Sequence, residues 1–199
     1  MIVVTAALKG GVGKTTTSVY LAALGAARRD VTLIDADPQA GSAEWVEHSP
    51  DERLKRVSVV EAPTDRLLAR ALERVPSDGV AVVDTPPAHE RLLAKAIGYA
   101  SVVMIPTRVG GIETPRVEAV RELLPAGTPA GLVITSARTF TRDYRDAIEA
   151  WGQARVPVWG TVPERVAIAA GPTGPLSTVA LEAYRSVWRK VLAAARSGG

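Results

Sequence analysis

The chain has 199 residues, of which 47% are hydrophobic and 23% charged, and its formal net charge is +3. This length and apolar content predict one domain, residues 1–199, with a sizeable core. The absence of cysteine excludes disulfides, thiolate metal sites and iron–sulfur clusters. No apolar run reaches the roughly 18 residues of a membrane span, and no signal peptide precedes the first strand, so a cytoplasmic protein is predicted.

The first predicted element is a buried strand from Ile2 to Leu8, and a helix is predicted from Ser18 to Ala27. Between them stands the segment Lys9-Gly10-Gly11-Val12-Gly13-Lys14-Thr15-Thr16. A strand, a glycine-rich turn and a helix are the context of a phosphate-binding loop, although the first glycine of the common pattern is missing. A glycine-rich turn with an incidental lysine is the alternative, but it does not explain why context and spacing match together.

The residue types of this segment suit the phosphates of a nucleotide. The glycines let backbone N–H groups approach a phosphate closely, and the start of the helix adds its own free N–H groups. Lys14 can reach the β and γ phosphates, and the Thr15 hydroxyl is placed to bind Mg²⁺. Thr16 can donate to the α phosphate. The segment therefore predicts a site for a nucleotide and Mg²⁺.

Two further predicted strands end in acidic residues. The run Val31 to Asp35 is followed by Asp37, and the run from Val80 ends at Asp84. Carboxylates at the carboxyl edge of a parallel sheet face the ligand crevice. Asp84 has the position of a Walker B acid. The alternative is that these acids are helix caps or loop residues without chemistry.

The remaining predicted elements alternate between strand and helix. Further strands are predicted over residues 56–62, 102–106, 131–135 and 156–162, and further helices over residues 41–48, 64–74, 90–99, 113–124, 142–152 and 176–195. Proline is expected to stop the strand at residue 106. This alternation predicts an α/β fold of three layers, with a mainly parallel central sheet and helices on both faces.

Three motifs in this order resemble the ParA/MinD family of deviant Walker A ATPases. They are K-G-G-V-G-K-T-T at residues 9–16, D-x-D-P-Q at residues 35–39 and D-x-P-P at residues 84–87. Residues 37–45 are similar to the short ParA, ParF-like partition proteins, and no N-terminal helix-turn-helix region is expected before residue 9. The resemblance implies a P-loop NTPase fold, ATP and Mg²⁺ as ligands, and ATP hydrolysis that is weak alone and stimulated by a partner.

The resemblance also assigns roles by position. It implies that Lys9 reaches the nucleotide of the partner in a dimer, that Asp37 orients the attacking water, and that Asp84 holds Mg²⁺ through a water, with Asp35 in its outer shell. The predicted catalytic residues are Lys9, Lys14 and Asp37, and the predicted metal site is Thr15, Asp84 and Asp35. The predicted nucleotide-binding residues are Gly10, Gly11, Val12, Gly13, Lys14, Thr15 and Thr16.

Family members bind DNA without sequence preference through basic residues in the C-terminal part. From residue 138 onward this chain has nine basic and five acidic residues, and the candidates for DNA contact are Arg138, Arg142, Arg145 and Arg165. The alternative is a solvated helix face on which arginines pair with neighbouring acids. The implied partners are a second copy when ATP is bound, non-specific DNA in the nucleoid, and a ParB-like or small ribbon-helix-helix centromere-binding protein.

The function implied is segregation of plasmid or chromosomal DNA. The alternatives are an ATPase that positions a protein cargo or acts at the membrane as MinD does, and a metabolic P-loop ligase of the dethiobiotin synthetase type. The last predicted helix carries apolar residues at helical spacing, namely Leu181, Tyr184, Val187, Trp188, Val191 and Leu192. Packing on the sheet is favoured over membrane binding for this helix.

Overall fold

The computed structural model describes residues 1–110, 114–164, 168 and 171–197. Seven strands are present in this part: β1 Ile2–Thr5, β2 Val31–Asp35, β3 Val57–Glu61, β4 Val80–Asp84, β5 Val102–Thr107, β6 Ala130–Ala137 and β7 Val158–Pro163. The α-helices of the same part are α1 Lys14–Gly25, α2 Gly41–His48, α3 Asp65–Glu73, α4 Glu90–Gly98, α5 Thr114–Glu122, α6 Arg142–Gln153 and α7 Thr178–Ser197. Glu113, the predicted start of the fifth helix, lies outside the described residues.

The strands form one sheet in the order β3-β2-β4-β1-β5-β6-β7, and every neighbouring pair is parallel. Helices α1, α2 and α7 pack on one face, and α3, α4, α5 and α6 on the other. The predicted three-layer α/β fold is therefore confirmed. Strand β1 lies at the centre, where Ile2 pairs with Ala81 of β4 and Val3 with Val102 of β5.

Both faces of the central strands are covered, which explains their unbroken apolar sequences. All five residues of β4 and all six of β5 are buried. Because parallel strands have their carboxyl ends at the same edge, the loops that follow β1, β2, β4, β5 and β6 meet there. This edge holds the glycine-rich segment and the acids that follow the strands.

Several strand ends differ from the predictions by one or two residues, such as β6, which ends at Ala137, and β7, which begins at Val158. Two further differences concern the central strands. β1 ends at Thr5 rather than Leu8, and β5 continues through Pro106 to Thr107. The Met104 carbonyl accepts from the N–H of Ala6, so Met104 faces β1. Pro106, two residues on, faces the same side beyond the end of β1. Its missing N–H therefore costs no hydrogen bond of the sheet, and proline does not stop the strand here.

Helix α7 buries its apolar face. Leu181, Tyr184, Val187 and Val191 are each at most 2% exposed and belong to the core on the face of α1. The Tyr184 ring stacks on Tyr20 of α1 with ring centroids 5.0 Å apart. The packing predicted for this helix is therefore confirmed. Within the described ranges, no helix is long and apolar enough to cross a membrane.

Asp51 joins the loop after α2 to the segment that leads into α7. Its carboxylate accepts from the Arg53 guanidinium at 2.8 and 2.7 Å and from the Leu176 N–H at 2.9 Å. The hydrogen bond from Arg53 is the main reason that the pKa of Asp51 falls to about 2. The Asp51 side chain is 3% exposed and that of Arg53 is 43% exposed, so the carboxylate lies out of water while the guanidinium reaches the surface.

We expect Asp51→Asn to lower the free energy of unfolding by about 2 kcal/mol at pH 7. Because the folded-state pKa lies below the usual 3.8, the stabilisation is present above about pH 4 and is lost as pH falls towards 2. Urea unfolding of both proteins between pH 7 and pH 2.5 measures this. Glu52→Gln removes a neighbouring, exposed carboxylate and should change little; an equal effect of both substitutions would contradict the assignment.

Candidate nucleotide-binding site

The glycine-rich segment forms a loop that leads directly into α1. Gly11 and Gly13 have φ angles of 74° and 89°, in the left-handed region that favours glycine. Gly13 is the N-cap of α1, and the Thr17 N–H donates to its carbonyl at 2.9 Å. The helix thus begins at Lys14, four residues before the predicted Ser18. Lys14 and the two threonines after it form the first turn, whose N–H groups have no helical partner.

Strand β6 contacts this loop through Thr135, a residue for which no role is predicted from the sequence. The Thr135 hydroxyl donates to the Val12 carbonyl at 2.7 Å. A Cβ added to Gly13 would lie 3.2 Å from the Thr135 methyl carbon. Both contacts require β6 to end beside the loop, and they fix where the loop can lie.

The loop lines one wall of a cavity of about 470 Å³, within the roughly 300–1,000 Å³ of ligand pockets. Predicted site residues that line it are Gly10, Gly11, Gly13, Lys14, Thr15, Thr16 and Asp37. Residues not predicted for the nucleotide site also line it, namely Pro87, Arg108, Thr135, Ser136, Val162, Pro163, Glu164, Ile168 and Tyr184. The predicted Val12 is buried behind the loop at 2% exposure, and Lys9 is half-buried.

Lys14 is held inside the loop. It is 6% exposed, and its Nζ donates to the Lys9 carbonyl at 2.9 Å. Burial lowers the pKa of Lys14, while the charges of Asp84 and Asp37 oppose that shift. A buried ammonium next to free backbone N–H groups is suited to the charge of a phosphate.

Asp84 lies beneath the first turn of α1 at 1% exposure. It accepts from the Ser18 hydroxyl at 3.2 Å and from Thr15. Burial raises its pKa to about 7, and the charge of Asp35 adds to the shift, while Thr15, Lys14 and Ser18 oppose it. A carboxylate in such a place is stabilised by a nearby cation. Its contact with Thr15 fits the predicted Mg²⁺ position.

Asp35 is engaged by the backbone of the loop that follows it. One of its oxygens accepts from the Asp37 N–H at 3.0 Å. The other accepts from the N–H and hydroxyl of Ser42 and from the N–H of Ala43, all within 2.9 Å. Asp35 thereby fixes the loop that carries Asp37. The outer-shell metal role predicted for it stays a prediction.

Magnesium could be held only in part by protein groups. Among the described residues, no group of three or more His, Cys, Asp or Glu side chains could bind a metal ion. The donors at the expected position are the Thr15 hydroxyl and, one step behind it, the Asp84 carboxylate. This donor set fits Mg²⁺, which keeps several waters and takes oxygen ligands from substrate phosphates.

Three of the candidate DNA-binding arginines lie on or just before α6, and none of these three lines the cavity. Arg138 pairs with Glu164, which lines the cavity, with Nε to Oε2 at 2.5 Å. Arg142 pairs with Asp146 on its own helix at 3.5 Å, as the solvated-face interpretation predicts. Arg145 is exposed and has no ion pair with a described residue. Arg165 lies outside the described residues.

The family comparison agrees with the geometry of the loop. A model of the CobQ/CobB/MinD/ParA nucleotide binding domain matches residues 3–174. The chain belongs to this family. The predicted ParA/MinD membership is thus confirmed, whereas the ParF-like subgroup stays a prediction.

Two relatives of this family member are similar in sequence. Maintenance of carboxysome distribution protein A of Gloeobacter kilaueensis is 37% identical over 145 residues, which cover 71% of this chain and 65% of that protein. Protein ParA of Rhizobium radiobacter is 31% identical over 109 residues, 54% of this chain and 48% of that protein. The matches thus span between about half and two thirds of these relatives' lengths.

Solved structures share the fold. A Borrelia burgdorferi B31 protein assigned to plasmid partition and bound to AMPPNP gives a TM-score of 0.80 at 19% identity, covering 96% of this chain and 98% of the other. The septum site-determining protein MinD of Pyrococcus horikoshii OT3, complexed with Mg-ADP, gives 0.79 at 17% identity, covering 100% and 98%. Cobyrinic acid a,c-diamide synthase of Mycobacterium smegmatis, with an ATP analogue and magnesium, gives 0.72 at 21% identity, covering 100% and 96%. At these identities the likeness shows the fold alone.

Proposed function

We propose that this chain is a ParA-type ATPase that segregates plasmid or chromosomal DNA through ATP-dependent dimerisation and DNA binding without sequence preference. The observation that carries the proposal is the arrangement of Lys14, Thr15, Asp37 and Asp84 around one loop at the carboxyl edge of the sheet. This family member also matches a ParA protein in sequence. A ParB-like or ribbon-helix-helix partner would stimulate hydrolysis.

Phosphoryl transfer requires a protein mainly to position the reacting groups and to neutralise charge on the phosphates. Lys14 and the first N–H groups of α1 supply positive charge at the loop. Mg²⁺, when bound, neutralises charge on the phosphate oxygens. Asp37 is half-buried and lines the cavity, so its carboxylate can orient a water that enters from solvent. Lys9 of a second copy would complete the charge, and hydrolysis would then depend on dimerisation.

We expect Asp37→Ala to bind ATP but to hydrolyse it about 100-fold more slowly, because the attacking water loses its orienting carboxylate. ATP-bound dimers should therefore accumulate. Light scattering with ATP and a phosphate-release assay measure the two effects. Asp78→Ala, which removes an exposed acid outside the cavity, is the matched control. An Asp37→Ala variant that stays monomeric with ATP would count against the dimer.

The DNA-binding step is tested by anisotropy of a labelled duplex with ATP, ADP or no nucleotide at rising salt. We expect binding with ATP only, and a loss of affinity of at least about tenfold in the double variant Arg142→Ala/Arg145→Ala, because phosphate contacts dominate such binding. Arg28→Ala is the control. Arg28 is exposed in the turn after α1, near the amino ends of the strands and therefore far from the nucleotide cavity at their carboxyl ends. Equal binding in all three nucleotide states, or no binding with ATP at low salt, would exclude DNA as the surface to which the ATP-bound dimer attaches.

A protein cargo is the second candidate for the same ATP cycle. The observation that favours it is the 37% identity to a carboxysome distribution protein. DNA binding is expected in both cases, so the two differ in what stimulates turnover: a centromere-binding protein with its DNA, or a cargo adaptor. A metabolic ligase would instead respond to a small carboxylate. Measuring ATP turnover with duplex DNA and with a panel of small carboxylic acids distinguishes the ligase from the DNA-segregating and cargo-positioning ATPases.

A further inference from the structure

Strand β3 forms an open edge of the sheet. It pairs with β2 on one side, and no strand of the described sheet pairs with its other side. Four of its five residues are exposed, including Val59 at 36% and Val60 at 39%. The charged residue of β3 is Glu61 at its end, and the strand has no lysine, proline or bulge of the kind that usually protects an edge strand. Its outer backbone N–H and C=O groups can therefore pair with another strand.

A groove of about 350 Å³ lies beside this edge, between helix α3 and one face of strands β2 and β3. We call it the edge groove. Its apolar surface comes from Val60 of β3 and from Leu67, Ala71 and Val75 on and just after α3. Leu67 is 44% exposed. The groove thus places exposed apolar side chains next to a free strand edge.

The rim of the edge groove is basic. Arg70 and Arg74 are one helical turn apart, both are exposed, and both line the groove. Neither side chain has an ion pair or hydrogen bond with any described residue. Glu61, at the end of β3, is the acid of the groove lining, and Glu73 lines an adjoining cleft towards α4, which Arg70 lines as well. Unpaired guanidinium groups beside an apolar groove favour carboxylates, which they can bind with two hydrogen bonds each.

We propose that the edge groove binds an extended, acidic segment of a partner protein, which adds to the sheet as a strand beside β3. Backbone hydrogen bonds to β3 give the affinity. Carboxylates on the α3 side of the added strand pair with Arg70 and Arg74, and apolar side chains on its other side cover Val59, which faces away from the groove. These two sets of contacts give the selectivity. A second copy of this chain is a poorer occupant, because symmetric pairing of two β3 edges would bring two arginine rims together.

This surface is separate from the nucleotide site. The order β3-β2-β4-β1 places β3 three strands from β1, or about 14 Å at the usual strand spacing. No residue of the edge groove lines the nucleotide cavity. Partner binding at this edge therefore does not require ATP, and it can be tested independently of hydrolysis.

The test uses two fluorescein-labelled peptides, one of alternating valine and glutamate and one of alternating valine and lysine. We expect saturable binding of the glutamate peptide to the full chain, at least about tenfold tighter than that of the lysine peptide. The reason is that only carboxylates are complementary in charge to the arginine rim. The double variant Arg70→Glu/Arg74→Glu should reverse this preference. Arg66→Glu is the matched control, since Arg66 is an exposed arginine of the same helix that does not line the edge groove.

A glutamate peptide with N-methylated alternate amides tests strand addition and should lose binding. Amide exchange over residues 57–61 should slow when the unmodified peptide is bound. Equal binding of the two charged peptides, unchanged affinity in the double variant, or full binding by the N-methylated peptide would overturn the proposal, as would no saturation at millimolar peptide. Self-association lost in the double variant would assign the groove to a second copy. ATP binding, measured in parallel, should be unchanged in all variants.

Discussion

Replacing Lys14 by alanine is expected to weaken ATP binding by about 100-fold or more. Lys14 is the buried cation of the loop that lines the cavity, and its Nζ is held there by a hydrogen bond to the Lys9 carbonyl. Isothermal titration with ATP and Mg²⁺ measures the loss. Lys14→Arg should recover little, because a guanidinium does not fit the space of an ammonium in a tight loop.

The folded state should tolerate the Lys14→Ala change. Burial lowers the pKa of Lys14, which means that the fold disfavours the charged form, so removing it should not reduce stability appreciably. Thermal unfolding without nucleotide should therefore be close to that of the wild type. Lys55→Ala, which removes an exposed lysine paired with Glu52, is the control for loss of one positive charge. If Lys14→Ala binds ATP as the wild type does, the assignment of the site is wrong.

Gly131→Ala is expected to destabilise the fold by about 3 kcal/mol or more. Strand β6 passes so close to Trp159 of β7 that a Cβ on Gly131 would lie 2.2 to 2.5 Å from three atoms of the indole. Trp159 is 9% exposed and belongs to the core, so its ring has little room to move. For a chain of this size the midpoint of thermal unfolding should fall by roughly 6–12 °C.

Gly152→Ala provides the matched control for that change. A Cβ at this position of α6 would meet no atom within 4 Å. Alanine also has the higher helix propensity, so this variant should be as stable as the wild type or more stable by up to about 1 kcal/mol. Replacing the indole by a smaller side chain, in the double variant Gly131→Ala/Trp159→Leu, should restore part of the lost stability. Unchanged stability of Gly131→Ala would show that β6 and β7 pack less closely than described.

The loop and its acids could be predicted because each stands in a local pattern. Lys14 and Thr15 follow glycines at fixed spacing, and Asp84 ends an apolar run. The edge at which they meet follows from the parallel sheet. The boundaries were harder: the helix start at Lys14 depends on the backbone of Gly13, and the passage of β5 through Pro106 depends on where β1 stops.

The opposite wall of the cavity was not predicted. Arg108, Thr135 and Glu164 reach it only because β5, β6 and β7 follow β1 in the sheet, and strand order is not encoded in any local pattern. One usable signal was present. Thr135 ends the predicted strand at residues 131–135, and the rule that strand ends face the ligand, applied to Asp35 and Asp84, would have selected it too. Arg70 and Arg74 resemble any exposed helical arginines in sequence, and only the open edge of β3 distinguishes them.

The central place of β1 has a consequence for synthesis of the chain. Its two neighbours are β4 and β5, whose pairing residues begin at Ala81 and Val102. The glycine-rich loop therefore leaves the ribosome before both strands that flank β1, and β1 gains its second neighbour only after the segment up to β5 has followed. Until then β1 presents an unpaired apolar edge of the kind that promotes misassembly of nascent chains. Rapid release of the segment up to β5 should thus matter more for the yield of folded protein than the rate at which the C-terminal helices are made.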